Sequence, residues 1–205
     1  MIFGDISLQR LIAAIVALLV GLTFHEFSHA FVADELGDRQ PRAMGRLTLN
    51  PIAHIDPIGA LMLVVAGFGW AKPVMVNTAA LRGGRRSMAV VAFAGPLANV
   101  AVAIVFAVVY RVLALGGDSS GFVPELIVLI VQLNILLAIF NLLPIPPLDG
   151  YNVALAYLPP PQAMLIARYA PYGALVLLLL IFLPGSPLRA LLSLSAPVTR
   201  ALIGA

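Results

Sequence analysis

The stretch LIAAIVALLVGLTFHEFSHAFV, Leu11–Val32, is apolar for most of its length and then carries two histidines and a glutamate within HEFSH, His25 to His29. At the centre of a membrane-spanning helix an ionisable group costs roughly 2.5–3.5 kcal/mol on insertion scales, so a cluster of three requires a partner that offsets the cost. A metal ion is the candidate. Histidines four residues apart lie one turn apart on one helix face, where both imidazoles can reach a single tetrahedral ion. Glu26 is offset from that pair. In the HExxH pattern the glutamate is placed to accept a proton rather than to bind the metal.

Composition sets the surroundings of this motif. The chain has 205 residues, of which 61% are hydrophobic and only 10% charged. About a quarter of an ordinary soluble domain is charged, so this chain cannot solvate a globular surface and reads as an integral membrane protein. The net charge of +3 is spread over short connections rather than gathered into a stripe, which argues for lipid headgroups and against nucleic acid as the partner. There is no cysteine, which excludes disulfides, thiolate metal sites and cysteine nucleophiles and leaves nitrogen and oxygen as metal ligands. The first apolar stretch resembles a signal-peptide core, but THEFSH stands where small residues would mark cleavage, so it reads as a retained helix.

Four segments approach the ~20 residues needed to cross a bilayer: Leu11–Val32, Met88–Tyr110, Phe122–Leu143 and the shorter Tyr169–Leu183. Ile58–Ala71 is apolar but short and carries three glycines, which suggests a re-entrant element. Basic residues bear on that reading. If the segment turns back, the basic residues from Arg39 to Arg86 together with Arg168 share one side, eight against four; if it spans, the split is six to six with no preferred orientation. The asymmetric arrangement places the N-terminus outside and the HEFSH end of the first helix towards the cytoplasm. Arg46–Asn50 (RLTLN) and Lys72–Thr78 (KPVMVNT) alternate like short β-strands near that end, and such an edge could receive an unwound peptide. From Pro187 to Ala205 leucines recur at helical spacing, consistent with a short helix that lies on the membrane surface or is partly inserted.

A catalytic zinc needs a third protein ligand and an open position. His54, Asp56, Glu125 and Asp149 lie near polar breaks. Asp149 is favoured because it ends NLLPIPPLDG, Asn141–Gly150, where three prolines interrupt a helix and free its carbonyls. Two neutral histidines, one carboxylate and one hydroxide also neutralise Zn²⁺, as a site of low dielectric favours. His54, in NPIAHIDPIG, is the rival ligand and equally a group to orient substrate or stabilise developing charge. Asn99 in AGPLAN, with Asn134 and Asn141 on the next span, has interhelical hydrogen bonding as its default role. Asn99 or Asn141 is also a candidate to hold substrate or the oxyanion.

Together these segments resemble the site-2 protease family of intramembrane zinc metalloproteases in its compact bacterial and archaeal form. HEFSHA (His25–Ala30), GRLTLNPIAHIDPIG (Gly45–Gly59), AGPLAN (Ala94–Asn99) and FNLLPIPPLDG (Phe140–Gly150) carry the resemblance, which covers about residues 8–155. It implies one Zn²⁺ held by His25, His29 and Asp149, Glu26 as general base, and His54 and Asn99 near the site. It also implies an all-α polytopic fold, with a three-helix catalytic core, C-terminal helices over about 156–205, a re-entrant element and short β-strands at the cytoplasmic face. The expected organisation is one membrane domain over 1–205, in a prokaryotic cell membrane, cutting transmembrane protein substrates. No PDZ or CBS-type insert is visible, so any regulator is expected to be a separate membrane protein. The same ligands could instead form the transit site of a metal transporter or channel, since Pro and Gly breaks in spans also mark transporters. That alternative leaves Glu26 without a role, and no inverted repeat is apparent.

Overall fold

Along the first helix one row of buried positions recurs every fourth residue: Ala13, Ala17, Gly21, His25, His29, Ala33. Small side chains on one stripe let helix backbones approach closely inside a membrane, where packing replaces the hydrophobic effect as the force between helices. The two histidines lie on the same stripe and therefore face the neighbouring helices rather than lipid. The computed structural model describes residues 7–59, 71–183 and 185–204. In it α1 spans Leu8–Glu35, with the Ser7 side chain accepting a hydrogen bond from the Arg10 amide to cap its first turn.

After a single turn, α2 (Gln40–Ala43), and a 3₁₀ turn (Pro51–His54), the long helices α3 (Arg85–Leu115) and α4 (Phe122–Asn141) pack on α1 and on each other. Ala17, Val102 and Ile130, one from each helix, form the centre of that packing. Arg10 at the start of α1 lies 3.8 Å from Glu125 at the start of α4, while His29 near the end of α1 meets Val91 near the start of α3. Hence α1 and α4 run in the same direction and α3 runs against them.

The chain continues as α5 (Asp149–Tyr157), α6 (Pro160–Tyr169), a 3₁₀ turn (Ala170–Tyr172), α7 (Gly173–Phe182), α8 (Pro187–Ser193) and α9 (Ser195–Ile203). Among the described residues four helical stretches are long and apolar enough to cross a membrane: α1, α3, α4 and Pro160–Phe182. The fourth reaches nine residues further back than the Tyr169–Leu183 expected from the sequence. Prolines 160 and 161 begin α6, where a missing N–H costs nothing, and Pro171 falls in the first turn of the 3₁₀ segment. The C-terminal helices also pack more firmly than a surface-lying tail. Ile203 joins Ala103, Ala107 and Val131 in a buried cluster, and the Arg111 guanidinium donates to the Ala201 and Leu202 carbonyls at 2.8 and 2.7 Å, closing the end of α9.

The expected β-strands are corrected. No strand occurs among the described residues, and the only β-type pairing there is a single antiparallel bridge between Ile55 and Ala71. Residues 72–77 carry no regular structure: Lys72 N–H donates to the His54 carbonyl beside that bridge, and the Val74 and Asn77 amides are directed to side chains instead of to a neighbouring strand. Val74 N–H donates to Glu26 Oε2 at 3.1 Å and Asn77 N–H to Asp38 Oδ2 at 2.7 Å, while Pro73 has no N–H to give. In Arg46–Asn50 the Thr48 carbonyl is taken by the His54 ring at 2.8 Å and the Thr48 hydroxyl accepts from Asn50 N–H. The re-entrant element expected over Ile58–Ala71 lies mostly outside the described residues.

In the last turn of α1 Asp34, fully buried, is bound by the exposed Arg39 and Arg42 at 2.8 and 2.7 Å, and its carboxylate raises the Arg42 guanidinium above its ordinary value. This ties the turn after α1 to the helix end and sets where the 72–78 segment can cross. The packing stripe yields a prediction. Ala17→Leu, at a position with no exposure, is expected to destabilise the protein by about 1–3 kcal/mol through overpacking. Ile15→Leu, on the exposed side of the same helix, is expected to leave thermal unfolding in detergent unchanged.

Candidate metal centre

Asp149 is brought to the histidines by the break between α4 and α5. Pro144 cannot continue α4, and Pro146 and Pro147 keep Leu142–Leu148 out of the helix until α5 begins at Asp149. Gly150 lets the returning chain lie against the broken helix end: a Cβ there would overlap the Leu142 carbonyl and stand 2.5 Å from the Leu143 oxygen. Asp149 Oδ2 then lies 3.0 Å from His25 Nε2 and 3.3 Å from His29 Nε2, and the two Nε2 atoms are 3.0 Å apart.

The far side of each ring decides what those atoms are. His29 Nδ1 lies 2.8 Å from the Val91 carbonyl and His25 Nδ1 lies 2.7 Å from Asn99 Oδ1. Both partners are acceptors, so each neutral ring carries its proton on Nδ1 and presents a lone pair at Nε2. The orientation of Asn99 is itself fixed: its amide donates to the Gly21 carbonyl at 3.0 Å and to Asn134 Oδ1 at 2.8 Å, and Asn134 donates in turn to the Ile130 carbonyl. A chain of hydrogen bonds thus runs from the backbone of α4 through two asparagines to His25. Asp149 Oδ2 is buried and accepts no hydrogen bond. Three electron-rich atoms therefore converge in a buried place. A single proton would satisfy one contact, whereas one cation satisfies all three.

The donor set of two imidazoles and one carboxylate, within 4.8 Å of one another, fits zinc in a site that keeps a position open. It also has the outer shell that orients metal-binding histidines, each donating its second N–H to an acceptor. Gly95 in α3 makes room for the pair: a Cβ there would lie 2.5 Å from His29 Nε2 and 2.6 Å from His25 Cε1. Pro96 follows it inside the helix, which leaves the α3 ladder one bond short beside the rings.

Known proteins were compared with this chain. No protein-family model and no solved structure matches it. Among curated proteins, "Putative zinc metalloprotease YwhC" of Bacillus subtilis is 39% identical over 83% of this chain and 80% of its own length. "Putative zinc metalloprotease Rip2" of Mycobacterium tuberculosis is 35% identical over 84% of this chain and 67% of its own length. The archaeal "Putative zinc metalloprotease MJ0611" of Methanocaldococcus jannaschii is 29% identical over 74% and 73%. This chain belongs to the site-2 protease family. The family's one zinc ion is thus matched by a donor set that fits it.

In this family member the remaining sequence candidates fall in different places. Glu26 is buried and lines the same cavity as the three donors, a space of about 240 Å³ that Pro73, Val74, Asn141 and Asn152 also border. Asn141 lines the cavity, and its amide donates to the Leu137 carbonyl on its own helix at 3.1 Å. Asn99 is completely buried behind His25 with both ends of its amide engaged, so it has no donor left for a substrate oxygen. His54 is buried under Thr48 and does not line the cavity. Asp56 accepts from the Ile58 and Gly59 amides as the cap of a turn, and Glu125 lies at the opposite end of the bundle beside Arg10. Sequence reasoning overlooked Asn152. Its signal was available, since i+3 from Asp149 on a helix is the same face.

Two substitutions probe the support behind the ligands. Gly95→Ala is expected to abolish stoichiometric zinc binding in metal analysis of purified protein. Asn99→Leu, which removes the acceptor behind His25, is expected to weaken zinc affinity about 10–100-fold in a competition titration against a chelator.

Proposed function

We propose that the chain is an intramembrane metalloendopeptidase that hydrolyses peptide bonds in or near transmembrane segments of other membrane proteins. The observation that carries this is the shared cavity: three converging donors, an adjacent carboxylate and a segment of chain along one wall. Zinc, when bound, supplies a Lewis acid that polarises the scissile carbonyl and acidifies water. Glu26 takes the proton of the attacking water and delivers it to the leaving amine, working from the carboxylate oxygen that Val74 does not occupy. The Val74 hydrogen bond holds that carboxylate in one orientation. Asn141 offers its oxygen to the substrate backbone, while Asn99 acts through His25 as a positioning residue. His54 supports the loop beneath the 72–78 segment, since the Lys72 amide donates to its carbonyl at 2.9 Å.

A transmembrane helix hides its peptide bonds, so the substrate has to unwind before it is cut. Segment 72–78 favours the unwound form. No hydrogen bond is made by the Met75 or Val76 amides or by the Val74 and Met75 carbonyls among the described residues, so an extended peptide can pair with that edge. We further propose that the chain acts as one domain over 1–205 in a prokaryotic cell membrane, with the metal end of α1 towards the cytoplasm. The seven basic residues from Arg39 to Arg86, between the first two long spans and in the first turn of the second, agree with this orientation, while Arg168 falls inside the fourth span. A separate membrane protein is the proposed means of regulation.

Glu26→Gln in proteoliposomes is expected to retain zinc and lose at least about 100-fold in cleavage rate of a single-span substrate. Retained cleavage would remove Glu26 from the mechanism. Placing Gly or Pro near the cut is expected to accelerate cleavage relative to a poly-leucine version of the same span. Equal rates would contradict the need for unwinding.

A further inference from the structure

The metal cavity does not end at Asp149. Asn152 and Met88 border it and also border a second cavity of about 270 Å³, walled by Leu155 of α5 and by Ala163 and Met164 of α6. The two spaces are neighbours across these two side chains. Asn152 stands one helical turn from Asp149 on the same face of α5. Asn99, Asn134 and Asn141 all donate hydrogen bonds, whereas the side-chain amide of Asn152, half-buried, has no partner among the described residues. An amide left open beside a reaction centre is suited to a backbone group of the bound peptide.

The second cavity has a different chemistry. Its walls are mostly methyl, methylene and thioether groups, with Thr78 and Asn152 the uncharged polar residues among them, and Arg85 at its rim donates to the carbonyls of Leu155 and, at 3.0 Å, Leu158 at the end of α5. That clamp fixes the end of α5 and holds the Arg85 guanidinium at the rim instead of inside the cavity. Met164 is largely exposed and flexible, so the outer wall can adapt to the shape it meets.

We propose that this cavity is a side-chain subsite that receives one large apolar residue of the substrate within three positions of the scissile bond, with Asn152 hydrogen-bonded to the substrate backbone between subsite and metal. This rests on the protease reading and adds a specificity to it. Continuity with the metal cavity through Asn152 argues for a peptide side chain as the occupant in place of a lipid tail, because a tail has no backbone for the amide to bind. One methylene more or less in an apolar pocket changes discrimination about 10–200-fold, which sets the effect to look for.

The test uses full-length protein in proteoliposomes and a single-span substrate in which each of the three residues on either side of the cut is set in turn to Leu or Ala. Wild type is expected to prefer Leu at one position by about tenfold or more. Ala163→Leu, which fills the buried inner wall, is expected to reverse that preference at the same position. Met164→Ala, at an exposed site that folding tolerates, is expected to shift the same position towards Phe. Asn152→Ala is expected to raise KM at every position with kcat little changed. In Glu26→Gln protein, which does not depend on cleavage for its readout, a benzophenone residue at the preferred position is expected to crosslink to the 160–167 stretch. Wild-type cleavage with no position shifted by either wall variant, or a crosslink confined to other helices, overturns the subsite alone. Absence of cleavage by wild type overturns the protease reading with it.

Discussion

Two hydrogen-bond acceptors, the Val91 carbonyl and the Asn99 side-chain oxygen, hold the protons of His29 and His25 on the far side of each ring. The near nitrogens are thereby left as lone pairs, 3.0 Å apart and facing the buried oxygen of Asp149. Such a convergence is repulsive by itself in a medium of low dielectric and becomes favourable around a divalent cation. The helix packing behind the rings serves this arrangement. Small residues on α1 and α3 let the backbones approach, Gly95 supplies the space the imidazoles occupy, and the asparagine chain joins His25 to the interior of α4.

Carboxylates on α1 and in the turn after it perform a second task, holding the segment that borders the cavity. Glu26 and Asp38 each take a backbone amide from residues 74 and 77, and the buried Arg46 donates to the Lys72 carbonyl at 3.3 Å. That wall of the cavity is therefore positioned by the helix that carries the two histidines, through Glu26, and by the connection that follows it, through Asp38 and Arg46. The two imidazoles and the Glu26 carboxylate that holds Val74 thus share one rigid element.

The spans and the gathering of His25, His29 and Asp149 could be read from the chain, because each depends on a local pattern. Apolar length marks a crossing helix, the i, i+4 spacing puts two rings on one face, and three prolines before Asp149 mark where a helix must break. What could not be read depends on partners distant in sequence. The 72–78 segment alternates like a strand, but its amides are claimed by Glu26 and Asp38, about 40 to 50 residues earlier, so no ladder forms. Asn99 looks the same whether it faces substrate or a histidine until Gly21 and Asn134 are seen to take its amide. Prolines 160, 161 and 171 suggest breaks, yet at first-turn positions they allow the last span to extend back to Pro160.

The central claim is a cation shared by the end of the first helix and the proline-broken turn. X-ray absorption at the zinc edge of the purified, active protein tests it most directly. The arrangement predicts one zinc per chain with a shell of four light atoms, the multiple-scattering signature of two imidazoles, and loss of one oxygen neighbour or of the metal itself in Asp149→Ala. A shell with a third imidazole that persists in that variant would contradict it, as would a protein that is active without zinc.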